Sequence, residues 1–398
     1  MPRDLRLGFD AGMRVLLTST PGTGHLHALA PLALALRSAG HDVLWATADE
    51  SCNRVRGFGF HAVAAGMPAR DRLASIQPHL PEIMALPPRA RRGMYFARFF
   101  GWAAAPKTRV DLEPVFQSFR PDVVVSEMAE LAAAPMAVAR GLPHVTVAFS
   151  GALTTEAFRL MIDGITPVWE AEHVTVPHDG GLADDLYLHP FPPSFGQLPN
   201  SGRVRSMRAD GFDGDPSAQT PEWINALGSE RPLVYLTSGT EPAAVRAPWI
   251  EAFEALGSLD VDVVATIGQN VDPSTFGDLP SNVRVERFVP QRWLLGRASM
   301  VASHGGAGTL LAAAANGVPQ VLNPIAADQW ENADAVVAAG VGVVCEPDQR
   351  CAADLAGAFE SVLGNGDMRA VVARVADEIA AMPSPADHVA EIEALANR

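Results

Sequence analysis

At 398 residues, 48% of them hydrophobic, the chain is long enough for two ordinary domains and too apolar to be disordered. A formal charge of −15, with arginine supplying all the positive charge except Lys107, argues against a nucleic-acid partner, whose phosphates reward a basic surface. Three cysteines (Cys52, Cys345, Cys351) show neither metal-ligand spacing nor an even count, which suits a reducing, cytoplasmic setting, and no apolar run of about 18 residues predicts a membrane span.

Met1 to Gly12 hold no apolar signal-like stretch and read as an extension ahead of Met13. Short β-branched runs then alternate with Ala/Leu-rich ones, the pattern of a parallel sheet with crossover helices. Strands are predicted at 15–17, 43–46, 122–125 and 145–148. Helices are predicted at 29–39 and 129–140, each followed by a glycine suited to ending it (Gly40, Gly141). Residues 209–221, "ADGFDGDPSAQTP", have the composition of a solvated linker. Beyond it, strands are predicted at 233–236, 263–267, 283–286, 300–302 and 320–322, with helices at 248–256, 306–316 and 328–339. "MRVLLTSTPGTG" opens the first half and "RPLVYLTSGT" the second, each an apolar strand running into a Thr/Ser/Gly turn. In open parallel sheets, ligands bind beyond such carboxyl ends.

Two loops carry the chemistry. "SHGGAGT" (303–309) follows a predicted strand and opens an Ala-rich helix. Its glycines allow close backbone approach, and the unpaired N–H groups of a helix start attract an anion, most plausibly a diphosphate. No Lys-Ser/Thr pair follows, and the G-x-G-x-x-G spacing is absent, so neither a Walker A loop nor a dinucleotide fingerprint fits. A ligand-free glycine turn is the bland alternative. "TSTPGTGHLHALAP" (18–31) places Pro31 in the first turn of a helix starting near Leu29, which leaves His25 in the loop beyond the strand. A histidine there, with an ordinary pKa of about 6.5, can act as a general base or simply cap the helix. His27, two residues on in an extended loop, would face much the same side.

Taken in order, "GTGHLHALAPLALALRSAGHDV" (22–43), "TSGT" (237–240), "FVPQ" (288–291), "SHGGAGT" (303–309), "NGVPQVLNP" (316–324) and "DQWENA" (328–333) resemble the inverting, nucleotide-sugar-dependent glycosyltransferases of bacterial polyketide and antibiotic biosynthesis. The resemblance runs from Met13 nearly to the C-terminus. It implies the GT-B fold: α/β, two Rossmann-like domains facing across a cleft. It further implies an acceptor-binding domain over 13–208, a linker over 209–230, a nucleotide-sugar-binding domain over 231–380, and a last helix in 381–398 returning to the first domain. His25 falls where the family has its general base. Glu127 falls where many relatives carry an aspartate that orients the base, with Glu130 a less well-aligned alternative.

By the same resemblance, Ser238, Gly239 and Thr240 would approach the nucleotide or its phosphates. Phe288, where the family usually has tryptophan, would stack on the base, and Val289 would meet the base through its backbone. His304 and the N–H groups from Gly305, Gly306, Ala307, Gly308 and Thr309 would hold the diphosphate. Asp328 and Gln329 would bond sugar hydroxyls, although Asp328 equally suits a helix N-cap. Ala312 stands where many UDP-using relatives carry a glutamate that binds the ribose hydroxyls. A dTDP-sugar, whose deoxyribose lacks the 2′-hydroxyl, is therefore the expected donor. The scheme needs no metal and no cofactor beyond this co-substrate.

Aromatic residues cluster among five arginines and Lys107 at 89–109, and further apolar and aromatic residues follow at 149–169. Phe99, Trp102, Phe149 and Met161 are the candidate wall for a hydrophobic aromatic acceptor, against the ordinary alternative of core packing. A membrane-surface helix is a weaker reading of the same basic stretch. An enzyme so equipped would move a deoxysugar to oxygen or to carbon of a polyketide-like acceptor. A UDP-sugar epimerase of similar fold and a non-catalytic auxiliary or binding protein are the alternatives. The resemblance also leaves room for a homodimer.

Overall fold

Runs such as Val15-Leu-Leu and Val123-Val-Val lack polar alternation, as strands of a parallel sheet covered on both faces require. The computed structural model describes residues 12–151, 153–183, 185–196, 203–214, 219–239, 247–269 and 271–398. Among these residues the strands form two wholly parallel sheets. The first holds β1 (Arg14–Thr18), β2 (Asp42–Thr47), β3 (His61–Ala64), β4 (Val123–Glu127), β5 (His144–Val147), β6 (Leu186–His189) and β7 (Val204–Ser206), in the order β3-β2-β1-β4-β5-β6-β7. The second holds β8 (Leu233–Thr237), β9 (Asp262–Thr266), β10 (Val283–Glu286), β11 (Ala298–Ser303), β12 (Gln320–Leu322) and β13 (Gly342–Val344), in the order β10-β9-β8-β11-β12-β13.

The chain divides into two compact units, one drawn from Met1–Pro190, Leu198–Phe212 and Pro383–Arg398, the other from Phe191–Gln197 and Asp213–Met382. In the first unit, successive strand residues feed opposite cores. Val15 and Leu17 pack with Leu26, Leu29, Leu32 and Leu36 of the helix Thr23–Ser38, and with Val389, Ile392 and Leu395 near the C-terminus. Leu16, Leu44 and Val124 face Leu112, Phe116, Phe119 and Trp169 on the other side. In the second unit, Val234, Leu236 and Ala302 meet Phe253, Leu256 and Phe359, while Leu233, Tyr235 and Val301 meet Leu294 and Leu295.

The helix predicted from Leu29 starts at Thr23, so Pro31 lies in its interior rather than its first turn. An interior proline forfeits one backbone hydrogen bond at a cost of about 3 kcal/mol. Burial of four leucines on one face, each worth roughly 1.5–3 kcal/mol, exceeds that cost. The helix predicted from Ala129 begins only at Ala133, because Glu130 occupies the preceding turn and accepts hydrogen bonds from the N–H groups of Ala132 and Ala133. The expected linker is anchored at its middle. Phe212 packs against Phe58 and His27, and Asp213 is buried with its Oδ2 accepting from the Arg292 N–H at 3.0 Å. No helix among the described residues is long and apolar enough to cross a membrane.

Candidate active site

In the first sheet the chain steps outward from β1 through β2 to β3, then returns to the other side of β1 with β4. The loops after β1 and β4 therefore leave in opposite directions, and the carboxyl ends of those strands border a crevice. Thr18 pairs in register with Ser126, so residues 19–22 and Glu127, the last residue of β4, start side by side.

His25 lies in the first turn of the helix Thr23–Ser38, not in a loop. Its Nδ1 is 3.0 Å from Glu127 Oε1 and 3.0 Å from Thr20 Oγ1. Glu127 Oε1 also accepts from the Thr20 N–H at 3.0 Å and the Thr20 hydroxyl at 2.7 Å, while Oε2 accepts from the Ala129 N–H at 2.5 Å. Burial alone would raise the Glu127 carboxyl. The neighbouring His25 and these hydrogen bonds outweigh burial and hold it below the usual carboxylate range. A charged, fully buried carboxylate facing Nδ1 keeps the proton on that nitrogen and leaves the Nε2 lone pair as the basic one.

The other candidates near this crevice separate clearly. Glu130 is also fully buried, but it accepts from the Thr18 hydroxyl at 2.8 Å and from backbone, not from His25, and burial lifts it to about 7. His27 does not share the side of His25, because two residues along a helix turn the side chain by roughly 200°. It packs between Phe58 and Phe212, and burial lowers it to about 4.

Phe149 and Phe100 flank His25, with ring centroids 4.4 and 5.6 Å away. Phe99, Phe100 and Trp102 lie on a π-helical segment, Ala97–Ala104. Phe99 is half-buried beneath the Arg72 guanidinium at 4.5 Å, and Arg72 Nη2 donates to the Pro21 carbonyl at 3.0 Å. Trp102 is 56% exposed, under Arg98. Met161 is 0% exposed in the core with Ile165 and Trp169, which corrects its assignment to an acceptor wall: a side chain closed off on all sides offers a ligand nothing. Phe100, Arg72 and Thr20 were missed among the site residues. The signal for Thr20 was its place between the strand end and the histidine.

The second sheet repeats the geometry. Its switch point lies between β8 and β11, where Thr237 pairs with Ser303. Ser238 and Gly239 follow the first strand, His304 the second; Thr240 lies outside the described residues. A Cβ at Gly239 would sit 2.6 Å from His304 Cε1, and one at Gly306 would sit 2.4 Å from Nε2. Gly239 also has φ +70°, so the imidazole lies where only glycines permit. Burial lowers His304 to about 4, so at neutral pH it is an uncharged ring, and its buried Nδ1 has no hydrogen-bond partner among the described residues.

Gly305 has φ +85°, and Gly306 precedes the helix Ala307–Ala315. The first-turn N–H groups of Ala307, Gly308 and Thr309 there have no partner within the helix. Val289 buries its side chain, whereas Phe288 is 46% exposed. Asp328 stands at the N-cap of the helix Gln329–Ala338 but makes no side-chain cap; Asn332 Nδ2 donates to its Oδ2 instead. Gln329 is buried, its Oε1 accepting from the N–H groups of Ile325 and Ala326, which leaves only its amino group for a ligand.

Solved structures match this chain over nearly its whole length. The glycosyltransferase SnogD from Streptomyces nogalater is 28% identical, with a TM-score of 0.75, covering 97% of this chain and 100% of that one. The glycosyltransferase VinC, in complex with dTDP, is 26% identical, with a TM-score of 0.78 and coverage of 97% and 100%. Two parallel-sheet α/β units with this topology define a glycosyltransferase of GT-B fold.

The family follows from sequence. The models of the Erythromycin biosynthesis protein CIII-like N-terminal and C-terminal domains match residues 34–239 and 250–395. The L-demethylnoviosyl transferase of Streptomyces niveus is 34% identical over 382 residues, covering 94% of this chain and 96% of its own. This chain belongs to the erythromycin biosynthesis protein CIII-like family of glycosyltransferases, enzymes of antibiotic and polyketide biosynthesis.

Proposed function

We propose that the protein transfers a deoxysugar from a dTDP-sugar to a hydrophobic, aromatic polyketide-type acceptor, with inversion at the anomeric carbon and His25 as general base. The observation that carries this reading is the His25–Glu127 pair at the switch point of the first sheet. His25 Nε2 takes the proton of the acceptor hydroxyl, or of a phenol reacting through its ring carbon. The new bond forms at the anomeric carbon as the bond to the diphosphate oxygen breaks, and the electron pair leaves with the diphosphate. Glu127 and Thr20 fix the ring and stabilise the imidazolium formed. Phe149, Phe100 and Phe99 would contact the acceptor, with Trp102 at the exposed edge.

On the donor side, His304 and the N–H groups from Gly305 to Thr309 would take up the charge of the leaving diphosphate. Ser238 and Gly239 would lie beside it, Phe288 and Val289 at the base, and Asp328 and Gln329 at the sugar. Thr240, outside the described residues, keeps its place in the proposal from sequence alone. Ala312, where a ribose-binding glutamate would stand, and the dTDP complex of VinC support thymidine over uridine.

Calorimetric titration with dTDP, UDP and NAD tests the reading. dTDP should bind best, His304→Ala should weaken it by roughly tenfold or more, and His25→Ala should leave it unchanged while abolishing transfer. Absence of dTDP binding, or indifference to His304→Ala, would remove the donor assignment.

A further inference from the structure

Asp328 occupies an N-cap position without capping, and what its carboxylate does instead points to a residue that the reading above leaves unused. Asn332, one helical turn on, donates from Nδ2 to Asp328 Oδ2 at 2.9 Å. The same Nδ2 donates to the carbonyl oxygen of Gly305, also at 2.9 Å. A carbonyl and a carboxylate only accept, so the amino group must face them and both its hydrogens are committed. Asn332 is 1% exposed, and a side-chain amide is costly to bury unless it is bonded. Its two bonds join the two loops that the donor reading uses for different parts of one ligand: the turn opening toward Ala307 and the carboxylate beside the sugar.

The surroundings make one end of this strut fixed and the other adjustable. Gly305 is held independently, its N–H donating to Ser303 Oγ at 3.2 Å. The loop before Asp328 is tied down by Gln329 Oε1 at Ile325 and Ala326, and by Arg350 Nη2, which donates to the Pro324 carbonyl at 2.6 Å. For the half-buried Asp328 side chain, Asn332 supplies the contact that selects its rotamer, holding Oδ2 and leaving Oδ1 to accept from a ligand hydroxyl.

We propose that Asn332 is a positioning residue that sets the Asp328 carboxylate at a fixed offset from the Gly305 turn, and so determines how the donor site reads the hydroxyls of the sugar. The inference deepens the donor assignment and rests on it. Asn332 touches no ligand; it acts through Asp328.

The test compares two probes, dTDP and dTDP-glucose, on the full chain. The quantity read is the ratio of their dissociation constants, which isolates the contribution of the sugar. Asn332→Ala should lower the preference for dTDP-glucose by about tenfold, the size of one charge-assisted hydrogen bond, while dTDP affinity changes less than about threefold. Asp328→Ala should lower the preference similarly, and Asn332→Ala added to it should lower it little further, because the two act in series. Asn332→Asp, which sets acceptors against acceptors, should match or exceed Asn332→Ala, and near-wild-type dTDP affinity in either variant certifies that it has folded.

Equal weakening of both probes, or single effects that simply multiply in the double variant, would make Asn332 a structural support and overturn the proposal. So would a wild-type protein that shows no preference for the sugar-bearing probe. A wild-type protein that binds neither probe would overturn the donor assignment itself, and this proposal with it.

Discussion

Two buried glutamates three residues apart meet opposite fates, and the difference lies in what faces them. Glu127 has a histidine and three hydrogen-bond donors from Thr20 and Ala129, and it stays charged; Glu130 has a hydroxyl and backbone, and burial dominates, lifting it to about 7. Its folded value exceeds the ordinary 4.5, so the native state binds more protons than the unfolded one between those values. The stability it contributes is complete below about pH 4.5 and is lost as pH rises through about 7, a swing of roughly 3 kcal/mol. Glu130→Gln removes the titration. The melting temperature of the variant minus that of the wild type should therefore become more positive between pH 5 and pH 8.5. A difference that stays flat across that range would mean Glu130 titrates as an ordinary surface carboxylate.

At the scale of elements, the π-helical segment that brings Phe99 and Phe100 toward the crevice depends on close packing. The preceding helix, Arg91–Phe96, crosses the helix Thr155–Ala171 at Gly93, where a Cβ would lie 2.6 Å from the Ala157 Cα. Gly93→Ala should push the helices apart and destabilise the protein by about 1–3 kcal/mol, visible as a lower thermal midpoint. An unchanged midpoint would show that the crossing yields easily.

These elements differ in how plainly the sequence announced them. Strands β1, β2, β4, β5, β8, β9, β10, β11 and β12 were legible as short, mostly β-branched or apolar runs between turn residues. Strands β3, β6, β7 and β13 were not read. β3, His61-Ala-Val-Ala, is partly exposed at a sheet edge, and β13 opens on a glycine, so neither has the continuous apolar signature. Of the site, the His25 and His304 turns stood out as chemistry-bearing loops after predicted strands, whereas Glu127 was located only through the family resemblance. Thr20 and Asn332 did not stand out, since their significance lies in partners 107 and 27 residues away. Local propensity misplaced the start of the first helix because it weighed Pro31 and could not weigh the burial that overrides it.

On the scale of the whole molecule, the same device appears twice. Each sheet starts near its middle, and each places its candidate chemistry at the switch point beside its first strand, His25 and Glu127 in one, Ser238 and His304 in the other. The tail belongs to the first unit. The Arg208 N–H donates to the Pro383 carbonyl at 2.7 Å, His388 Nε2 lies 3.1 Å from the Ser206 carbonyl, and Val389, Ile392 and Leu395 complete the core around Val15 and Leu17. A chain ending at Met382 would lose those three apolar side chains at roughly 1.5–3 kcal/mol each, a large part of a domain's stability. It should show early melting or aggregation, measured by thermal scanning. Equal melting of the truncated and full chains would assign the tail a marginal part.

That tail also sets a timetable. A ribosome makes the chain from the amino end, so strands β1 to β7 emerge well before the residues that close their core. The first unit is begun first and completed last, its apolar face waiting while some 170 residues of the second unit are made. Recombining two such enzymes by a single cut at Phe212 would therefore give the first unit of each chimera a foreign closing segment. A chimera that takes both its first 212 residues and its last sixteen from the same parent keeps that core intact.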